Sequence, residues 1–174
     1  MAIIGFPKRI LMNALIIISQ SPEDTHQHGY QLGQCLGAGD VICLSGDLGA
    51  GKTTFAVGIG QGWGSQTPLT SPTFVIIHQH HRQQDQTILY HLDAYRLQGS
   101  ADADTIGLDD IFDGQAVVLI EWAEHIQADL PPDCLWISLI IPNDNPEVRQ
   151  ITLVPQGSRS TALCEMMAQV WGKG

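Results

Sequence analysis

The stretch Gly46-Asp47-Leu48-Gly49-Ala50-Gly51-Lys52-Thr53-Thr54 constrains this chain more than any other. Gly46 to Thr53 fits the pattern G-x-x-x-x-G-K-[S/T] in full. An apolar run, DVICLS, precedes it, and a segment of helical character follows from Thr53 to about Gly62. Strand, glycine-rich turn and helix in that order form a loop whose backbone amides turn inward around an anion, because glycines offer no Cβ to block them. The helix start adds unpaired N–H groups and the positive end of its dipole. Lys52 then supplies a point charge to the β- and γ-phosphates of a nucleotide, and Thr53 a hydroxyl to Mg²⁺. The chain has only three lysines, and the other two, Lys8 and Lys173, lie near its ends.

Charge bears on what else the chain can hold. Eighteen acidic residues against eight basic ones give a formal net charge of −10. Such a surface does not neutralise a phosphate backbone, so strong direct binding of nucleic acid is not expected. A nucleotide in one local concave site remains compatible with it. The four cysteines form no C-x-x-C pair, which argues against a zinc ribbon or thioredoxin motif and fits reduced thiols in the cytoplasm. No run of eighteen apolar residues occurs, so no membrane span is expected. Residues 1–12 read as an N-terminal extension, with Met12 an alternative start. The basic-then-apolar beginning only faintly resembles a signal peptide, since Asn13 interrupts it and no small-x-small site follows. Residues 13–174 read as one domain.

Along the chain, ALIIIS predicts a first strand, and the segment from Ser21 a helix. Ser21 suits its cap and Pro22 its first turn, with Glu23 and Asp24 at the positive end. Gly29 and Gly33 are expected to weaken that helix. TFVIIHQHHR and QTILYHLDAYR predict a hairpin, ADADTIGLDDIF a short acidic helix, and AVVLIE a buried strand. CLWISLIIP and EVRQITLVP predict two more strands joined at NDNP. A final helix follows, capped by Ser158 or Ser160. Early strands alternating with helices, then late hairpins, imply an α/β, P-loop NTPase-like three-layer fold. Its central sheet is mixed and mainly parallel, with added antiparallel strands.

Two apolar strands end in acids, ILYHLD in Asp93 and VVLIE in Glu121. Ligands of open parallel sheets sit beyond the carboxyl ends of the strands, so both acids are candidates to hold the metal or orient water. Their spacing does not divide these roles.

GDLGAGKTTF, SPTF, LYHLDAYRL and LIEWAEH follow one another in this order, and the set resembles the TsaE (YjeE) family of bacteria. That resemblance implies a P-loop ATPase that binds ATP or ADP with Mg²⁺. It also implies slow hydrolysis and work beside the two proteins that transfer threonylcarbamoyl to adenosine 37 of tRNA, with tRNA met only indirectly. Carried over, Lys52 binds phosphate and Thr53 and Glu121 bind Mg²⁺. Lys52, Asp93 and Glu121 form the catalytic set. Ser71, Thr73, Tyr95 and Arg96 belong to switch-like loops, and Trp122 stands close to the nucleotide. Where the family has a first-helix threonine this sequence has Gly29, in a segment that the resemblance places near the base.

Other signals carry less. His78, His80, His81 and His91 suggest a solvated strand end rather than a metal cluster, since no carboxylate or cysteine completes a site nearby. Arg96 suits either a charge stabiliser in cis or a salt bridge, and Trp63, Trp136 and Trp171 suit packing. Two further functions compete. A small-molecule or nucleotide kinase would need an arginine-bearing lid that the five scattered arginines do not suggest. A nucleotide-gated binding module without catalysis would keep its function when Asp93 and Glu121 are neutralised.

Overall fold

The structure is a computed structural model describing residues 14–70, 77–97, 107–142 and 145–172. The extension at 1–12, Ser71, Thr73 and most of the acidic segment before Gly107 lie outside the described residues. The elements are β1 (Leu15–Ser19), α1 (Pro22–Gly33), β2 (Val41–Ser45), α2 (Lys52–Trp63), β3 (Ile77–His81), β4 (Ile88–Asp93) and α3 (Leu108–Ile111). There follow β5 (Val117–Glu121), a 3₁₀ segment (Ala123–Asp129), β6 (Leu135–Ile140), β7 (Arg149–Pro155) and α4 (Ser158–Trp171).

The seven strands form one sheet in the order β1-β7-β6-β2-β5-β4-β3. β6, β2, β5 and β4 are parallel neighbours, while β7 pairs antiparallel with β6, β1 antiparallel with β7, and β3 antiparallel with β4. Continuous apolar sequence in β2 and β5 follows from burial on both faces. Ile42 and Leu44 face Leu32, Phe55, Ile59 and Leu163 on the helical side. Val41 and Cys43 face Leu92, Ile126 and Trp136 on the other.

α1 starts where its sequence says. Ser21 Oγ accepts the Asp24 amide at 3.2 Å, and Asp24 Oδ2 accepts the Gln20 amide at 2.8 Å. α4 departs from expectation, because its cap is Gly157. Ser160 Oγ accepts the Gly157 and Gln156 amides, while Asp133, 26 residues upstream of Arg159, accepts the Arg159 and Ser160 amides. The cap is completed by a tertiary contact that local sequence does not encode.

The histidine run also departs from expectation. His80 and His91 are buried, at 5% and 0% exposure. Their strands put them over the α2 face of the sheet, where His91 lies beside Leu119 of β5. His80 Nδ1 lies 3.1 Å from Thr67 Oγ1 and 3.3 Å from Ser65 Oγ, and its Nε2 has no partner among the described residues. Burial, aided by the neighbouring His91 and His78, pushes the His80 pKa down to about 4. The unfolded chain, with a histidine pKa near 6.5, therefore takes up a proton that the folded protein refuses. Stability from this group is full at pH 7 and falls as pH drops from 6.5 toward 4. The loss is a few kcal/mol at most, at about 1.4 kcal/mol per pKa unit. Urea midpoints at pH 7 and pH 5 should differ measurably, and His80→Gln should shrink the difference.

Candidate nucleotide and metal site

The glycine-rich loop leaves β2 at Gly46 and re-enters helix at Lys52. Gly46 has φ 138° and Gly51 φ 101°, conformations that side chains resist. A Cβ on Gly46 would also stand 2.3 Å from the Leu139 carbonyl oxygen of β6. Both glycines are thus fixed by backbone geometry. Lys52 Nζ donates to the carbonyls of Gly46 at 2.6 Å and Asp47 at 2.9 Å, and stands 3.5 Å above the centre of the Trp122 ring. Lys52 is only 5% exposed. Burial lowers its pKa, against the opposing pull of Glu124, Glu121, Asp47 and Asp93.

The two acids come together as strand neighbours. Asp93 ends β4 and Glu121 ends β5, and the parallel register pairs them directly. Glu121 is 2% exposed. Its Oε2 accepts the Thr53 hydroxyl at 2.8 Å, and its Oε1 lies 2.9 Å from His91 Nε2. Asp93 is half-buried, and its Oδ1 accepts the Tyr95 amide at 2.9 Å, which turns the chain away from the strand. The next residue after Glu121, Trp122, has φ 59°, the one positive value among described residues other than glycine. That turn sets its ring against Lys52 and against Tyr95, 5.0 Å away between centroids.

A cavity of about 390 Å³ opens over the loop. Its lining includes Leu48, Gly49, Gly51, Lys52, Thr53, Thr54, Asp93, Tyr95, Glu121 and Trp122, and also Pro22, Thr25 and Arg149. Gly46, Asp47 and Ala50 serve from behind through their carbonyls, which hold Lys52 and Arg149. Arg96 is exposed and is not among the lining residues. Gly29 is no cavity residue either. It is buried against α2, and the threonine that α1 turns to the cavity is Thr25, one turn earlier, its hydroxyl 2.6 Å from Ser19 Oγ.

Arg149 was invisible in the sequence because it has no motif around it. It begins β7, two strands from the loop, and donates Nε to the Ala50 carbonyl at 2.7 Å and Nη2 to the Gly49 carbonyl at 3.2 Å. It is the one arginine on the cavity wall among the described residues. Arg82 and Arg159 are engaged elsewhere, with Asp85 and Asp40.

The donor set fits a magnesium ion bound with a nucleotide. Mg²⁺ takes one or two carboxylates with phosphate and water oxygens, and seldom an all-protein cage. One hydroxyl and one buried carboxylate beside a glycine-rich loop match that habit. No group of three or more His, Cys, Asp or Glu side chains suited to a metal occurs among the described residues. No helix among them is long and apolar enough to cross a membrane.

Residues 19–151 match the family model described as threonylcarbamoyl adenosine biosynthesis protein TsaE. The chain is 39% identical over 150 residues to the tRNA threonylcarbamoyladenosine biosynthesis protein TsaE of Bacillus subtilis, covering 86% of this chain and 90% of that one. It is 40% identical over 134 residues to the protein of that name from Streptomyces coelicolor, covering 75% and 90%. The crystal structure of Bacillus subtilis YdiB superposes with a TM-score of 0.74 at 36% identity, over 90% of this chain and 95% of that one.

Proposed function

The chain belongs to the TsaE family of threonylcarbamoyl adenosine biosynthesis proteins, and we propose that it is the Mg²⁺-dependent ATP-binding and hydrolysing subunit of that process. It would support turnover of the two proteins that transfer threonylcarbamoyl to adenosine 37 of tRNA. The observation that carries the reading is the 2.8 Å bond between Thr53 and Glu121, which joins the phosphate loop to the end of β5 in a buried setting.

The residues divide the work as follows. Loop amides and the Lys52 ammonium bind the phosphates, with Lys52 placed for the β- and γ-groups. Thr53 and Glu121 would hold Mg²⁺, and the ion would supply charge neutralisation at the phosphate oxygens. Asp93, on the cavity wall, would orient the attacking water. Trp122 and Tyr95 wall the cavity and exclude bulk water. Arg149 fixes the loop from behind. The net charge of −10 suits an encounter with tRNA through partner proteins rather than directly.

Hydrolysis of Mg-ATP should be measured with the purified protein, alone and with the two-protein complex. Activity should rise with the complex. Glu121→Gln should lose most Mg²⁺-dependent activity. Asp93→Asn should keep nucleotide binding and lose turnover. Wild-type levels of complex-dependent tRNA modification in both variants would refute the catalytic reading and leave a binding module.

A further inference from the structure

His91 makes one polar contact among the described residues, and that contact is Glu121. Its Nε2 lies 2.9 Å from Glu121 Oε1, while its buried Nδ1 has no partner among the described residues. Both residues are essentially inaccessible, at 0% and 2% exposure. We propose that His91 is a positioning residue for the metal-holding carboxylate. Its ring fixes Oε1, so that the carboxylate plane and the Oε2 contact with Thr53 are set before nucleotide and metal arrive. The proposal rests on the reading of Thr53 and Glu121 as the magnesium pair.

Strand register builds the arrangement. His91 pairs with Leu119, so Glu121 lies two residues further along the neighbouring strand on the same face. That diagonal is within reach of long side chains. An ionised carboxylate only accepts hydrogen bonds, so the ring must present Nε2–H to it. A glutamate in a strand end has free rotation about three side-chain bonds. Here one oxygen is held from α2 by the Thr53 hydroxyl and the other from β4 by His91, which removes that freedom. Partners that orient a metal ligand in this way typically change metal affinity by about 10–100-fold when removed. Plain core packing does not require the match, because an apolar side chain would fill the same site without leaving Nδ1 unpartnered.

The test compares His91→Gln with His91→Asn. The glutamine amide nitrogen reaches the place of Nε2, whereas that of asparagine stops near Nδ1. ADP affinity is measured by calorimetry with EDTA and with Mg²⁺. Wild type should gain affinity from Mg²⁺. His91→Asn should lose roughly tenfold or more of that gain, with metal-free ADP binding unchanged, and His91→Gln should keep most of it. Equal behaviour of the two variants, or a matching fall in metal-free binding, would overturn the positioning role. Absence of any Mg²⁺ gain in wild type would overturn the metal reading and the proposal together. A measurement without substitution guards against misfolded variants. Nitrogen–proton correlation spectra of the wild-type ring should place the proton on Nε2 and shift when ADP and Mg²⁺ are added together, and a proton on Nδ1 with Nε2 bare would overturn it.

Discussion

Lys52→Ala is expected to lower Mg-ATP hydrolysis by on the order of 10²–10³-fold, the usual effect of deleting one preorganised charge at a reacting centre. The fold should survive. Lys52 bonds the carbonyls of Gly46 and Asp47, and both belong to an open loop where water can replace an ammonium. What is lost is the one lysine charge on the cavity wall, held ready over the Trp122 ring. Lys52→Arg should not rescue. A planar guanidinium does not reproduce a compact charge seated between a loop and an indole face. Steady-state hydrolysis and ADP affinity, measured beside a thermal melt, separate these effects. Unchanged turnover in the alanine protein would end the ATPase reading.

The largest stability effect is expected in the seam between two helices. Helices α1 and α2 meet through four glycines set one turn apart on each helix. A Cβ on Gly58 would stand 2.1 Å from the His26 carbonyl oxygen, and one on Gly62 1.9 Å from that of Tyr30. Reciprocally, a Cβ on Gly29 would stand 2.2 Å from the Phe55 carbonyl oxygen, and one on Gly33 2.2 Å from that of Ile59. All four obstacles are backbone, which cannot rotate away. Gly58→Ala must therefore push the helices apart and loosen Leu32, Phe55 and Ile59, which are buried between them and the sheet. Overpacking of this kind costs about 1–3 kcal/mol or more, against at most about 1 kcal/mol of helix propensity gained from alanine. With a net cost of about 1–2 kcal/mol, at about 2–4 °C per kcal/mol for a protein of this size, the thermal midpoint should fall by roughly 2–8 °C. Gly37→Ala is the control. Nothing lies within 4 Å of a Cβ there, so the midpoint should hold or rise slightly. A midpoint in Gly58→Ala equal to that of Gly37→Ala would show that the helices are not held by this contact. The site should feel the change as well, because α1 carries Thr25 and α2 carries Lys52 and Thr53 on the same cavity.

These glycines show where reading along the chain stops. Local propensity says that Gly29 and Gly33 weaken α1, and within an isolated helix they would. Their value appears only when a second glycine pair, Gly58 and Gly62, arrives from another segment. The histidines follow the same logic. Local polarity puts His80 and His91 in water, but β5 on one side of β4 and α2 above it enclose them.

The glycine-rich loop, the strand before it and the helix after it were legible along the chain. The reason is that glycine spacing, an apolar run and a helix start are local properties encoded within about twenty residues. The sequence also put Asp93 and Glu121 at strand ends, and the order of motifs pointed to the family. The packed fold is what makes those two acids register partners, brings Arg149 from β7 onto the loop, sets His91 against Glu121 and turns Thr25 to the cavity. Each of these depends on which strands lie side by side and which helix faces meet. Those pairings are set by burial across residues tens of positions apart, and no local pattern in the chain records them.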